Sequence, residues 1–244
     1  MLSLLRSPWG RDTALRGLAG ALLTMLVVCA VGAATDEGGV AWPLRVSRSL
    51  PLVPVCSGAG AWLALGAART RGELVALGAL GAAPSRTASA ACAGAAAVSV
   101  GAAIAIALLP GLDVGAFFPA ARSGGVWTHD GAGFVDGAGQ VRILGTGEIA
   151  RIAGAPMAHQ AGLGGARAAA AIVTAAAGVA LALVLARTHA RNAARTASVL
   201  AGFGVVIVVS LQAAAANVGP IVIAPAVAIL LLVASVLLYR ASDA

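Results

Sequence analysis

Long apolar stretches alternate with short polar connections along most of this 244-residue chain. A helix crosses the hydrocarbon core of a bilayer with about 17–25 mostly apolar residues. Six stretches meet this requirement without a charged residue: 18–34, 50–68, 88–109, 168–186, 197–216 and 220–239. The pattern therefore predicts six membrane-spanning helices.

Residues 110–166, between the third and fourth stretches, follow a different pattern. Short runs rich in β-branched and aromatic residues, GGVWTH, GFVD, QVRIL and EIARI, are separated by Gly or Asp-Gly, which is typical of strands joined by tight turns. Open strand edges are not tolerated in hydrocarbon, so we expect this segment in water.

The predicted fold is an all-α polytopic membrane protein with six transmembrane helices (3+3) and a small β-rich periplasmic insertion. Its parts are residues 1–109, with a cytoplasmic segment at 69–86, then 110–166, then 167–244.

Composition supports a membrane protein and gives it an orientation. Hydrophobic residues make up 60% of the chain and charged residues 10%, and all 16 basic residues are Arg. The net charge of +7 forms no basic stripe interleaved with aromatic residues, so nucleic acid is not an expected partner. With both termini in the cytoplasm, ten Arg and three acids lie inside, whereas six Arg and six acids lie outside. The positive-inside rule therefore predicts a multi-pass membrane protein with both termini in the cytoplasm.

The first apolar stretch has an alternative interpretation. Three Arg precede it and small residues close it, a pattern that a cleaved signal peptide also shows. The five further spans favour a retained helix.

The sequence offers no candidate catalytic or cofactor-binding residues. No span contains a His, a pair of acids or a Gly-x-Ser-x-Gly motif, and the three Cys and three His are widely scattered. The GLGG run at 162–165 lacks the Lys-Ser/Thr ending of a phosphate-binding loop. We predict no enzyme activity, no metal and no cofactor.

One polar gap, RTRGELVALGALG at 69–81, carries Glu73, the only acid between Glu37 and Asp113. A Glu at the start of a short helix is favoured by the helix dipole. A solvated Arg/Glu turn between two spans is one interpretation of this gap. A contact site for another protein is the other.

The stretch that contains this gap resembles a known family. LPLVPVCSGAGAWLALGAARTRGELVALGALGAAPSR, at 50–86, is similar to the second span and following cytoplasmic segment of the LptF/LptG permeases of the lipopolysaccharide exporter. The matching positions are Glu73, Leu74, Val75, Ala76, Leu77, Ala79, Gly81 and Ser85, with Ala83 and Pro84 inserted. The last span and the GGVWTHDGAGFV run resemble corresponding parts of that family, although its periplasmic domain is much larger than 110–166.

The resemblance implies a function. It implies a permease subunit of the bacterial inner membrane that pairs with a second permease subunit and binds a cytoplasmic ATP-binding subunit dimer. Such a complex would move lipopolysaccharide or a similar lipid out of that membrane. The segment after the second span would couple to the ATPase, with Glu73 meeting a basic group and Arg71 at the wet end of the helix. Leu74 and Leu77, with Gly78 and Gly81, would form its apolar face.

Two arginines near the start of the second span are a further candidate site. Arg45 and Arg48, beside Trp42 before the second span, are candidates for binding a lipid headgroup, and interface anchoring is the alternative. A non-transporting membrane scaffold or assembly subunit derived from such a permease is the alternative function.

Overall fold

The structure is a computed structural model. It describes residues 7–35, 42–82, 84–109, 112, 114, 117, 128–129, 131, 133–135, 141–146, 149–151, 163–187, 193–215 and 220–241. The helices are α1 (Pro8–Thr35), α2 (Trp42–Ser49), α3 (Val53–Thr70), α4 (Glu73–Ala79), α5 (Pro84–Leu108), α6 (Leu163–Arg187), α7 (Ala193–Ala215) and α8 (Ile223–Ala241). The strands are β1 (Thr128–His129), β2 (Gly133–Val135), β3 (Val141–Leu144) and β4 (Ile149–Arg151).

Helix α1 begins ten residues before the first predicted span. Pro8 occupies the first helical position, where its missing N–H costs nothing, and the Ser7 hydroxyl accepts a hydrogen bond from the Gly10 N–H at 3.0 Å. The charged turn that precedes the apolar stretch is thus helical as well. The charged turn and the predicted span therefore belong to one continuous helix.

The second predicted span starts with a change of helix type. A 3₁₀ turn at Leu50–Leu52 links α2 to α3, and Pro51 within it has no N–H for a regular helical hydrogen bond. The short helix α2 therefore packs ahead of α3, with Ser47 and Ser49 buried and Arg48 exposed.

Four helical stretches are long and apolar enough to cross a membrane: Pro8–Ala34, Arg45–Thr70, Ala88–Leu108 and Gly165–Ala186. The fifth and sixth predicted spans coincide with α7 and α8, whose described apolar portions, Ala201–Leu211 and Ile223–Leu238, are shorter. The chain is thus mostly helical with four candidate spans among its described residues, and the count of six remains a prediction.

Helices α1, α3, α5 and α6 pack closely around one another, and α8 packs on α6. Small residues permit the approach of α1. A Cβ added at Gly60 of α3 would lie 2.5 Å from the Ala21 nitrogen and 2.7 Å from the Gly17 oxygen. A Cβ added at Gly94 of α5 would overlap the Ala14 carbonyl group. Such contacts between small residues are the usual basis of helix association in membranes.

Two arginines form hydrogen bonds that connect the ends of helices. Arg69, at the end of α3, donates to the Ala186 carbonyl oxygen at 2.8 Å, and Arg167 of α6 donates to the carbonyl oxygens of Ile106 (2.9 Å) and Leu112 (3.1 Å). Each guanidinium satisfies carbonyl groups at the end of a helix, where positive charge is also favoured by the helix dipole. The contacts of these two arginines lie at opposite ends of α6.

The four strands form one antiparallel sheet in the order β1-β2-β3-β4. Each lies within one of the four predicted strand stretches and has two to four residues. The rings of His129 and Phe134 meet edge to face at 5.3 Å across the first hairpin. Most of the remaining residues of 110–166 lie outside the described residues, so a β-rich insertion as a whole remains a prediction.

The close contact at Gly94 gives a test of the helix packing. Gly94→Val should lower the midpoint of thermal unfolding in detergent, because its side chain cannot fit against α1, with a cost of about 1–3 kcal/mol. Gly101→Val, on the same helix, is the matched control, because Gly101 is exposed and an added Cβ meets no atom within 4 Å. Equal midpoints for the two variants would contradict the described packing of α1 on α5.

Candidate functional site

Helix α4 stands at the end of the bundle where α3 finishes and α5 starts. Gly72, at φ +72°, turns the chain out of α3, and Gly81, at φ +80°, ends α4. The Ala82 N–H donates to the Leu77 oxygen at 3.0 Å and the Gly81 N–H to the Gly78 oxygen at 2.9 Å, which is the Schellman arrangement. Gly81 therefore serves the backbone here, because a left-handed conformation terminates the helix.

The Glu73 carboxylate is bound by side chains of its own chain. The Trp9 indole N–H donates to Oε2 at 3.2 Å, and Arg16 Nη1 donates to Oε1 at 3.2 Å and Oε2 at 3.3 Å. Arg71 Nη1 lies farther away, 3.7 Å from Oε1, with its side chain 60% exposed. The first residue of α4 is thereby joined to the charged turn of α1.

Arg16 is shared between two acids. Its guanidinium also forms an ion pair with Asp12, one turn earlier on α1. The planar guanidinium can serve two carboxylates at once because it carries several N–H donors in fixed directions. We call the set Trp9, Asp12, Arg16 and Glu73 the α1–α4 clamp.

Electrostatics favour the ionised form of Glu73. Burial alone would raise the pKa of Glu73, but the hydrogen bonds from Arg16 and Trp9, together with the positive charges of Arg16 and Arg71, outweigh this effect and lower the pKa. The carboxylate is therefore charged at neutral pH, as the hydrogen bonds of the clamp require.

The two faces of α4 differ in exposure. Leu74 and Leu77 are half-buried, and Leu74 packs against a buried cluster of the chain's own helices. Val75, in contrast, is 77% exposed, and Leu80, directly after the helix, is 82% exposed. The predicted apolar face thus points partly inward, and the outward apolar surface is formed by Val75 and Leu80. We call these two residues the α4 outer surface.

The structure does not bring the predicted headgroup residues to this site. Arg45 (half-buried) and Arg48 (exposed) lie on α2, ahead of the start of α3, whereas Glu73 follows its end. The two candidate sites are therefore separated by the length of a membrane-spanning helix.

Polar residues within the candidate spans form interhelical contacts. The hydroxyls of Ser57 (α3) and Ser99 (α5) lie 2.6 Å apart and are fully buried, and a Cβ at Gly178 of α6 would overlap Ser99. This arrangement joins three helices and satisfies the hydroxyls inside hydrocarbon. Among the described residues, no group of three His, Cys, Asp or Glu could hold a metal ion.

Trp9 and Arg16 are the functional candidates that the sequence analysis missed. The charge count placed Arg16 on the same side of the membrane as Glu73, which is the only signal that connects them. Nothing in the spacing of residues separated by 57 and 64 positions indicates a contact.

No protein-family model, curated protein or solved structure gives a significant match to this chain. Membership of a family is therefore not shown. The functional interpretation depends on the residues themselves and on the resemblance of 50–86.

The contact between Trp9 and Glu73 predicts a titration. The Trp9 indole N–H resonance should move as pH falls through the lowered pKa of Glu73, below the usual glutamate range, because protonation removes the charged acceptor. A depressed pKa means that the clamp stabilises the fold fully above the usual glutamate pKa and loses this contribution at lower pH.

Nuclear magnetic resonance of indole-labelled protein in micelles measures this, with Trp9→Phe assigning the signal. Glu73→Gln should abolish this titration. A Trp9 resonance that titrates unchanged in Glu73→Gln would contradict the contact.

Proposed function

We propose that this chain is a permease subunit of an ATP-driven exporter that moves lipopolysaccharide or a similar lipid out of the bacterial inner membrane. The observation that carries the proposal is α4, a short helix held at one end of the bundle with its outer surface exposed. The resemblance of 50–86 assigns this same helix to ATPase coupling. A non-transporting scaffold is the alternative, considered below.

The geometry of α4 suits docking. A lone two-turn helix is marginal in water, but this one is fixed at its first residue by the α1–α4 clamp and ended by Gly81. Its conformation is thus set before a partner arrives, which lowers the entropy cost of binding. An exposed Val and Leu on such a helix provide an apolar contact for a cleft.

The partner must supply ATP hydrolysis. These 244 residues contain no Lys, and the P-loop requires one to reach the nucleotide phosphates. We therefore propose a separate cytoplasmic ATP-binding subunit dimer, with α4 on the cytoplasmic side.

The membrane arrangement that supports this role has six spans and cytoplasmic termini. Helices α7 and α8 coincide with the fifth and sixth apolar stretches, and the net positive charge falls on the side of α4. A second permease subunit would complete the path of the lipid between two helical units. Arg45 and Arg48, at the opposite end, would meet the headgroup of an anionic lipid there.

The alternative is a scaffold or assembly subunit that retained the helices of a permease. Its support is the small size of the sheet, whose strands have two to four residues, against the large periplasmic domain of the family that the chain resembles. Lipid release from the membrane, measured with the purified complex and ATP, separates the two functions.

Docking through the α4 outer surface predicts the effect of one substitution. Val75→Asp should leave insertion and the amount of protein unchanged, because Val75 is exposed, and should lower the recovery of the ATP-binding subunit about tenfold or more. The measurement is affinity purification in mild detergent from the source cells, followed by labelling of bound subunits with a photoreactive ATP analogue.

Thr146→Asp is the control. It adds the same charge at an exposed turn between β3 and β4, in the segment that the topology predicts on the other side of the membrane from α4, and should retain the labelled subunit. Equal recovery with both variants would count against docking through Val75.

The topology predicts the location of two reporters. Fusions after Ala150 and after Thr188 should report opposite compartments, with Ala150 in the periplasm and Thr188 in the cytoplasm. Paired alkaline phosphatase and fluorescent protein fusions measure this. The same compartment for both would eliminate the six-span arrangement.

A further inference from the structure

We infer that Glu73 acts within its own chain, as the acceptor through which α1 positions α4, and that Trp9 and Arg16 are positioning residues for coupling. This inference rests on the proposed function, in which α4 is the docking element. It differs from the sequence-based expectation, in which Glu73 meets a basic group on the ATP-binding subunit.

The carboxylate of Glu73 is already supplied with donors. Both of its oxygens accept hydrogen bonds from Arg16 at 3.2–3.3 Å, and Oε2 also accepts from Trp9 at 3.2 Å. Only 23% of the side chain is exposed. A basic group from another chain would have to displace a charge-assisted contact that is already in place.

The donors are themselves fixed. Arg16 is held by Asp12 on the preceding turn, and Trp9 is half-buried on the same helix. Helix α1 in turn packs tightly against α3 and α5 through Gly17, Ala21 and their small neighbours. A rigid path of contacts therefore runs from the membrane-spanning part of α1 to the first residue of α4.

This path gives the clamp a role in coupling. Movement of α4 by a docked ATP-binding subunit would be carried to α1 through Glu73, and from α1 to the helices that it contacts. Docking itself belongs to the α4 outer surface, whose side chains are exposed, whereas Leu74 and Leu77 are half-buried. The positioning residues and the docking residues are thus different side chains.

Charge reversal distinguishes a contact within the chain from a contact between chains. Arg16→Glu and Glu73→Arg should each reduce the photolabelled ATP-binding subunit at least fivefold. The triple variant Asp12→Arg/Arg16→Glu/Glu73→Arg should recover at least half of the wild-type amount, because both ion pairs of Arg16 are then restored in the opposite sense. If the triple variant stays as low as Glu73→Arg, the partner of Glu73 is on the other protein and the inference is wrong.

A second measurement needs no ATP-binding subunit. In the purified chain alone, Arg16→Gln and Glu73→Gln should each lower the midpoint of thermal unfolding, and the double variant should lose less than the sum of the two losses. Additive losses would overturn the clamp. Trp9→Phe, which removes the indole N–H and part of the ring but keeps the Arg16–Glu73 ion pair, should reduce both the midpoint and the labelled subunit by less than Arg16→Gln does.

The two hypotheses fail in different ways. Wild-type protein that never retains a labelled ATP-binding subunit would eliminate the proposed function, and the thermal cycle would still decide whether the clamp exists. Retention by wild type without rescue in the charge-reversed triple variant would eliminate the positioning role alone.

Discussion

The close approach of α1 to α3 and α5 is the contact on which the other features depend. At Gly60 and Gly94 the helix backbones lie so near one another that no Cβ fits between them. This spacing places the charged first turns of α1 directly over the end of α3. Without it, Trp9 and Arg16 would not reach Glu73, and α4 would have only its two half-buried leucines to hold it.

At this end of the molecule, one set of residues stabilises the fold and a different set is exposed. The buried set consists of small side chains and the partly buried carboxylate, where charge is compensated by Arg16. The exposed set, Val75 and Leu80, contributes little to the fold and remains accessible. An arrangement of this kind allows a surface to bind a partner without the loss of the contacts that shape it.

The sequence was sufficient for the parts of the structure that depend on local pattern. Apolar length located the helices, and the alternation of short β-branched runs with Gly located the strands. Helix α1 starts earlier than the first predicted span because apolar length marks only the uncharged part of a helix, whereas α1 is capped by Ser7 and includes Arg11 and Arg16. The partners of Glu73 could not be predicted, since a contact across 57 or 64 residues depends on how helices pack. The two faces of α4 were assigned by helical period alone, which cannot tell which face meets the bundle.

The separation of the contacts along the chain also determines the order in which they can form during synthesis. The α1–α4 clamp joins residues 57 and 64 positions apart, and these residues and the helices that position them, α1, α3 and α5, all precede α6 in the chain. The Arg69 contact to Ala186 spans 117 positions and must wait for α6. The corner of the bundle that holds α4 can therefore form before the second half of the protein has been synthesised.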